Sequence, residues 1–283
     1  MPFIHPKTES GFDIVSDLHI DQWDSSLNIK NPCGEVLDYP FKFKEQPSKI
    51  LIIAGDISDD IDLSIKYLNE ISNNYEKILF VDGNHEHVSS YPKLLSNKEI
   101  DDKIRQCNNP KIVYLPENDF IVGKTVFLGM CGWWDYDNRN SDSIKNALAY
   151  FDEWIPEIAS ADGGSLKFID NVTNKSEEQH RDLIKKLEYY EGNSDIENIV
   201  IVTHTVPLEE FALEADGNTE TSCQLQSFSK DLVDGRYKKL KTWIFGHTHN
   251  QFDKTINNVR FLTNPRGRPE DFNRINYELK SIY

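Results

Sequence analysis

The sequence has little of what would mark a disulfide scaffold, a membrane protein or a repeat array. Its 283 residues include only four cysteines, Cys33, Cys107, Cys131 and Cys223, spaced far apart with no Cys-x-x-Cys pair. That spacing argues against a disulfide framework and against a zinc ribbon, and leaves the cysteines as buried or incidental thiols. Long apolar runs are missing too. The longest, such as Ile50 to Ala54, are strand-sized, far below the roughly 20 residues that a membrane helix needs. The first residues lack the basic-then-apolar layout of a signal peptide, so the expectation is an intracellular, cytoplasmic protein with no membrane partner. No fixed-period repeat or low-complexity tract is present, which removes the sequence support for solenoids and linker-joined modules and favours one domain over residues 1–283. Positive charge is scarce: 31 Lys and Arg stand against 47 Asp and Glu, for a formal net charge of −16. A duplex binder spreads basic residues over one face to displace counterions, so long nucleic acid is not an expected partner. Any recognition of phosphate must be local.

What the chain does have is apolar material, 38% hydrophobic and 11% aromatic residues, enough for a sizeable core. It is arranged in short β-rich runs that end abruptly in polar residues: Phe12 to Val15, Ile50 to Ala54, Ile78 to Val81, Ile199 to Val202 and Trp243 to Phe245. These read as buried strands. Between them, Ile61 to Ser72, Lys98 to Cys107 and Ser176 to Glu191 repeat apolar residues at spacings of three and four, as helices do. The alternation predicts an α/β architecture. Two hairpins, Phe120 to Leu128 turning at Gly123-Lys124 and Gln251 to Leu262 turning at Asn257-Asn258, make the sheets mixed. Residues 22–48, 135–174 and 205–241 read as surface excursions, where substrate selection often resides.

Each of the five runs ends in residues that bind metals: Asp17-x-His19, Gly55-Asp56, Gly83-Asn84-His85-Glu86, His204, and Gly246-His247-Thr248-His249. In open α/β sheets the carboxyl ends of neighbouring strands converge on one crevice, so side chains distant in sequence can meet there. Five of the eight histidines, His19, His85, His204, His247 and His249, sit at these ends. Mixed carboxylate and imidazole ligands suit first-row ions such as Mn, Fe, Zn or Ni rather than Mg or Ca. Two Asp, one Asn and four His exceed what one ion can use while keeping a water for chemistry, so two divalent ions are expected, with Asp56 as the natural bridge.

The ordered series Asp-x-His, Gly-Asp, Gly-Asn-His-Glu, His, Gly-His-x-His resembles the calcineurin-like metallophosphoesterase superfamily. The blocks run from Asp17 to His249. The resemblance implies that Asp17, His19, Asp56 and His249 hold one metal and that Asp56, Asn84, His204 and His247 hold the second. It also implies the family fold, two packed mixed β-sheets flanked by helices, a four-layer αββα sandwich. The expected chemistry is in-line attack on a phosphoester by a hydroxide bridging the two ions, whose charge lowers the pKa of the water. His85, beside a ligand but not needed as one, is the candidate general acid for the leaving oxygen. Some family members pair this histidine with the second Asp of Gly-Asp-x-x-Asp, and Asp59 occupies that position.

The family's protein serine/threonine phosphatases continue this block with Arg-Gly, whereas this chain has Asp60-Ile61. The missing arginine disfavours a phosphoprotein monoester, and the short layout around Asp17-Leu18-His19-Ile20 resembles the family's cyclic-nucleotide and small-molecule phosphodiesterases, which implies a phosphodiester of a nucleotide or small molecule. A phosphomonoesterase or a nuclease of the same superfamily is the alternative, and a non-catalytic binding scaffold a minor one. His5, His87 and His180 have no motif and read as surface histidines, with His87 near enough to His85 to line a pocket. Trp133 and Trp134 read as core packing before base stacking. The segment from Glu177 to Glu191 reads as the solvated face of a helix. Arg266 and Arg268 fit either a phosphate contact or a turn.

Overall fold

Strands that are apolar on both faces must be covered on both faces. The computed structural model describes residues 11–22, 48–87, 95–150, 165–216, 227, 229–268, 271 and 277–282. Its strands in chain order are β1 (Phe12–Val15), β2 (Ile50–Ala54), β3 (Lys77–Val81), β4 (Ile112–Tyr114), β5 (Phe120–Val122), β6 (Thr125–Gly129), β7 (Asn198–Val202), β8 (Leu240–Ile244), β9 (Asp253–Ile256), β10 (Val259–Leu262) and β11 (Lys280–Ile282). They form a five-stranded sheet, β11-β1-β2-β3-β4, and a six-stranded sheet, β5-β6-β7-β8-β10-β9. Within the first, β1 to β4 run parallel and β11 joins antiparallel. The second has a parallel centre, β6-β7-β8-β10, closed at each edge by a hairpin strand.

The two-residue side-chain period of a strand explains the layers. Ile14, Ile52, Leu79 and Val81 of the first sheet meet Phe127, Val200, Val202 and Ile244 of the second in an inter-sheet core. The alternate residues Val15, Leu51, Ile53, Ile78 and Phe80 face outward onto helices α1 (Ile61–Ile71) and α2 (Asn97–Arg105). On the far side, Val126, Leu128, Ile199, Ile201 and Trp243 pack against Leu183, Leu187 and Tyr190 of a long helix, Ser165–Gly192, and Phe211 of another, Glu209–Asp216. The outcome is the four-layer sandwich expected above. Helix starts are chemically marked: Asp60 accepts from the Asp62 and Leu63 amides at the head of α1, and Ser96 and Glu99 form a capping box on α2.

Several boundaries differ from expectation. The helix expected from Ser176 begins at Ser165, and a further helix spans Ser141–Tyr150, so much of 135–174 is regular structure. Residues 151–164 of that excursion, most of 22–48, and 217–226 and 228 of 205–241 lie outside the described residues, as do His5, Cys33 and Cys223. The strand expected at Trp243 starts at Leu240, with Phe245 still donating its amide to Leu262 O at 3.0 Å. Asp13, on β1, is fully buried and accepts from the Ser48 amide and hydroxyl, the Tyr75 hydroxyl and the Ser281 hydroxyl, so its charge is absorbed structurally. Among the described residues no helix is long and apolar enough to cross a membrane.

Candidate metal centre

The strand ends that carry the motif residues open on one side of the sandwich. Ser16 pairs with Pro265, and the chain beyond β1 hydrogen-bonds to the chain beyond β2 through Asp17 N to Gly55 O at 3.0 Å and Leu18 N to Asp56 O at 2.7 Å. The first sheet supplies Asp17, His19, Asp56, Asn84 and His85. From beyond β7 and β8 of the second come His204, His247 and His249. Two glycines are required by contact alone. A Cβ on Gly83 would lie 2.1 Å from Asp56 Oδ1, and one on Gly55, at φ +79°, would lie 2.7 Å from His204 Nδ1.

Three groups of donor atoms result, Asp17-His19-His249, Asp56-His204-His247 and His19-Asp59-His85, in each of which the atoms lie within 4.8 Å of one another. The first group brings together Asp17, His19 and His249 of one expected set without Asp56, and the second brings together Asp56, His204 and His247 of the other, with Asn84 Oδ1 beside His204 and His247. His204 Nδ1 donates to Ala54 O at 2.9 Å, which fixes its tautomer and leaves a lone pair on Nε2. Nε2 lies 2.9 Å from Asn84 Oδ1, 3.0 Å from Asp56 Oδ2 and 3.3 Å from His247 Nδ1. His249 Nδ1 donates to the Asp271 carboxylate at 2.6 Å, and its Nε2 faces His19 Nε2 at 3.0 Å and Asp17 Oδ1 at 3.6 Å. Lone pairs crowded this closely repel unless a cation sits among them. Ligands about 2.1 Å from one divalent ion and at right angles are about 3.0 Å apart, so the donor set fits a metal.

The electrostatics agree. Burial and the neighbouring Asp56 charge push the Asp17 carboxyl up against the pull of His249 and His204. Burial alone would raise Asp56 as well, but His204 and His85 hold it well below the usual carboxylate range. Burial works against protonation of His204, yet the Asp56 charge and hydrogen bond push it up to about 10, so positive charge is demanded where the two meet. Burial and the other imidazoles push His19 and His247 far down.

His85 is held differently. Its amide donates to Asp56 Oδ1 at 2.8 Å, its Nδ1 contacts Asp59 Oδ1 at 2.5 Å, and its Nε2 lies 3.9 Å from Asp56 Oδ2 and 3.1 Å from Arg268 Nη2. Asp59 thus meets His85 as the Gly-Asp-x-x-Asp pattern suggested. Glu86 was part of the motif but had no role from sequence. Its fully buried carboxylate accepts from the amides of Asp56 at 2.9 Å, Ile57 at 2.7 Å and Gly83 at 2.7 Å, locking the two loops together. Burial pushes its pKa up to about 7. Asp271 was missed altogether, since it lies 22 residues beyond His249 and outside every motif.

The reading of His87 as a surface residue is corrected. It is buried, and its Nε2 contacts Asp82 Oδ2 at 2.7 Å, with Asp82 Oδ1 accepting from the Tyr114 hydroxyl at 2.8 Å. Asp101 completes this cluster and pairs with Lys175 at 3.4 Å. Trp133 and Trp134 are buried, in keeping with packing. The Trp134 ring lies 6.1 Å from that of His247.

A sequence profile described as calcineurin-like phosphoesterase matches residues 11–251. An uncharacterized protein of Acanthamoeba polyphaga mimivirus is 28% identical over 277 residues, which are 93% of this chain and 92% of that protein. Among solved structures, a phosphopantetheinyl hydrolase from Mycobacterium tuberculosis superposes with a TM-score of 0.70 at 18% identity, covering 96% of this chain and 95% of that one. At that identity the likeness is one of fold.

Proposed function

Because the chain belongs to the calcineurin-like phosphoesterase family and is therefore a metal-dependent phosphoester hydrolase, we propose that it uses a dinuclear centre to hydrolyse a phosphodiester of a nucleotide or small molecule. The observation that carries this reading is the convergence of metal-ligating atoms, His204 Nε2, His247 Nδ1, Asn84 Oδ1 and Asp56 Oδ2 on one side and His19 Nε2, His249 Nε2 and Asp17 Oδ1 on the other. Asp17, His19, Asp56 and His249 would hold one ion, and Asp56, Asn84, His204 and His247 the second, with first-row cations such as manganese suited to the set. When bound, the ions supply Lewis acidity toward phosphoryl oxygens and lower the pKa of a water toward neutrality.

The chain's own groups do the rest. The Asp59 carboxylate accepts from His85 Nδ1, which orients the ring and leaves Nε2 to hold a proton for the leaving oxygen. Glu86 holds the Asp56 and Gly83 loops in one geometry. Asp60, standing where the protein phosphatases carry arginine, spends its carboxylate on capping α1 and offers no cation to a dianionic monoester. That supports the diester. Both sheets contribute ligands, which supports reading residues 1–283 as one catalytic domain.

The test is hydrolysis of bis-p-nitrophenyl phosphate against p-nitrophenyl phosphate by metal-stripped protein reconstituted with Mn, Ni, Zn or Mg. Preference for the diester is expected. Preference for the monoester would make the protein a phosphomonoesterase, and metal binding without turnover of either ester, natural nucleotide diesters included, would favour the scaffold.

A further inference from the structure

We propose that Arg268 grips a non-bridging oxygen of the substrate's phosphoryl group, a claim that rests on the phosphoesterase reading above. Sequence left this residue open between a phosphate contact and a turn. The segment Asn264 to Arg268 is strapped across the end of β1: Pro265 pairs with Ser16, the Arg266 amide donates to Ser16 O at 3.0 Å and the Gly267 amide to Asp17 O at 2.8 Å. Asn264 Nδ2 anchors the strap from behind on Ile14 O at 2.9 Å and Glu278 O at 3.1 Å. The Arg268 amide then donates to Asp271 Oδ2 at 2.6 Å, the carboxylate oxygen that also receives His249 Nδ1. The arginine is therefore delivered to the site by backbone tied to two ligands, Asp17 and His249.

Its side chain is oriented but not satisfied. Nη2 lies 3.1 Å from His85 Nε2, on the side of the ring opposite the Asp59 contact. Nε is buried with no hydrogen-bond partner, and among the described residues no carboxylate pairs with the guanidinium. A guanidinium has five N–H donors in a planar fork matched to phosphate. Leaving such a donor buried and unpaired is unfavourable unless an anion completes it. In a chain of net charge −16, where many exposed cations among the described residues pair with acids, a guanidinium free of carboxylates beside the proposed acid is a specific provision for an anionic oxygen. The two ester classes share non-bridging oxygens, so the contact serves either.

The experiment uses full-length, metal-loaded protein with inorganic phosphate as the probe, titrated calorimetrically, and metal content measured on the same samples. Arg268→Ala and Arg268→Gln should keep the wild-type metal content, weaken phosphate binding at least about tenfold, and lower kcat/KM about 100-fold on aryl diester and monoester alike. Arg268→Lys should recover part of the loss. If the Ala variant does not fold, the Gln variant carries the test. Metal-replete variants with wild-type phosphate affinity overturn the role of Arg268 alone. So does a loss confined to esters with poor leaving groups, since the arginine would then act only through His85. Wild-type protein that holds no metal overturns the phosphoesterase site together with the role of Arg268.

Discussion

Five of the seven proposed ligands sit in left-handed backbone that non-glycine residues rarely adopt: φ is 49° at Asp17, 42° at His19, 58° at Asp56, 72° at His247 and 55° at His249. Strain of this kind persists only where surrounding bonds over-determine it, and it concentrates at functional sites. Here the bonds are visible, since the His247 amide donates to Asp17 Oδ1 at 2.8 Å and the Asp56 amide to Glu86. Roles at this scale can be separated by substitution. His85→Asn should retain metal and lose about 10²- to 10⁴-fold in turnover on esters with poor leaving groups, and much less on activated aryl phosphates. Equal loss on both would remove the general-acid role. Asp271→Asn should leave the fold intact and weaken metal binding about 10- to 100-fold, because the hydrogen bond to His249 Nδ1 fixes the tautomer that presents Nε2. Titration with a competing chelator measures it, and unchanged affinity would reduce Asp271 to a partner of Arg268. That Asp17, His19, Asp56, Asn84, His204, His247 and His249 converge was legible because each follows a strand. Asp271 was not, because nothing in local sequence says that a carboxylate 22 residues downstream folds back.

Among the elements, legibility followed the strength of the apolar signal. β1 and β2 appear at the expected residues because each is a short apolar-rich run, interrupted in β1 only by Asp13. β4 and β11 went unread, for three residues at a sheet edge carry too little periodicity to register. The long helix was caught only from Ser176 onward, where Leu183, Leu187 and Tyr190 make a buried stripe. The hairpin turns were legible from chemistry, and Asn257 and Asn258 do take φ of 50° and 67°. The loop after β3 is the element on which most depends, since it carries Asn84, His85 and Glu86 and packs on Asp56. Gly83→Ala would force a Cβ to 2.1 Å from Asp56 Oδ1 and must move one of the two loops. A stability loss of about 1–3 kcal/mol is expected, with metal affinity falling in parallel. Denaturant unfolding with and without metal checks this, and a variant of wild-type stability and affinity would show that the loops yield freely.

For the whole molecule, the sandwich brings two sheets together so that the carboxyl ends of β1, β2, β3, β7 and β8 meet. Sequence suggested that convergence through the strand-end motifs. The pairing of two sheets came only from the family resemblance, because alternation within a strand does not reveal which sheet covers its inner face. The inter-sheet core of Phe127, Val200, Val202 and Ile244 against Ile14, Ile52 and Val81 sets the spacing of the two ligand halves. Metal bound between them should therefore stabilise the fold. At a hundredfold excess over its dissociation constant a ligand adds about 2.7 kcal/mol, which corresponds to a fall in Tm of about 5–10 °C on chelation for a protein near this size. Calorimetric scans before and after chelation should show it, and identical transitions would mean that the ions contribute nothing to the assembly.

The most direct test of the account is metal content and diester turnover measured together on wild-type protein and Asp56→Asn. Wild-type protein should hold about two first-row ions per chain with turnover that tracks their occupancy, and the variant should lose both ions and turnover. Full activity in an Asp56→Asn protein with undiminished metal, or turnover by wild-type protein that holds none, would contradict it.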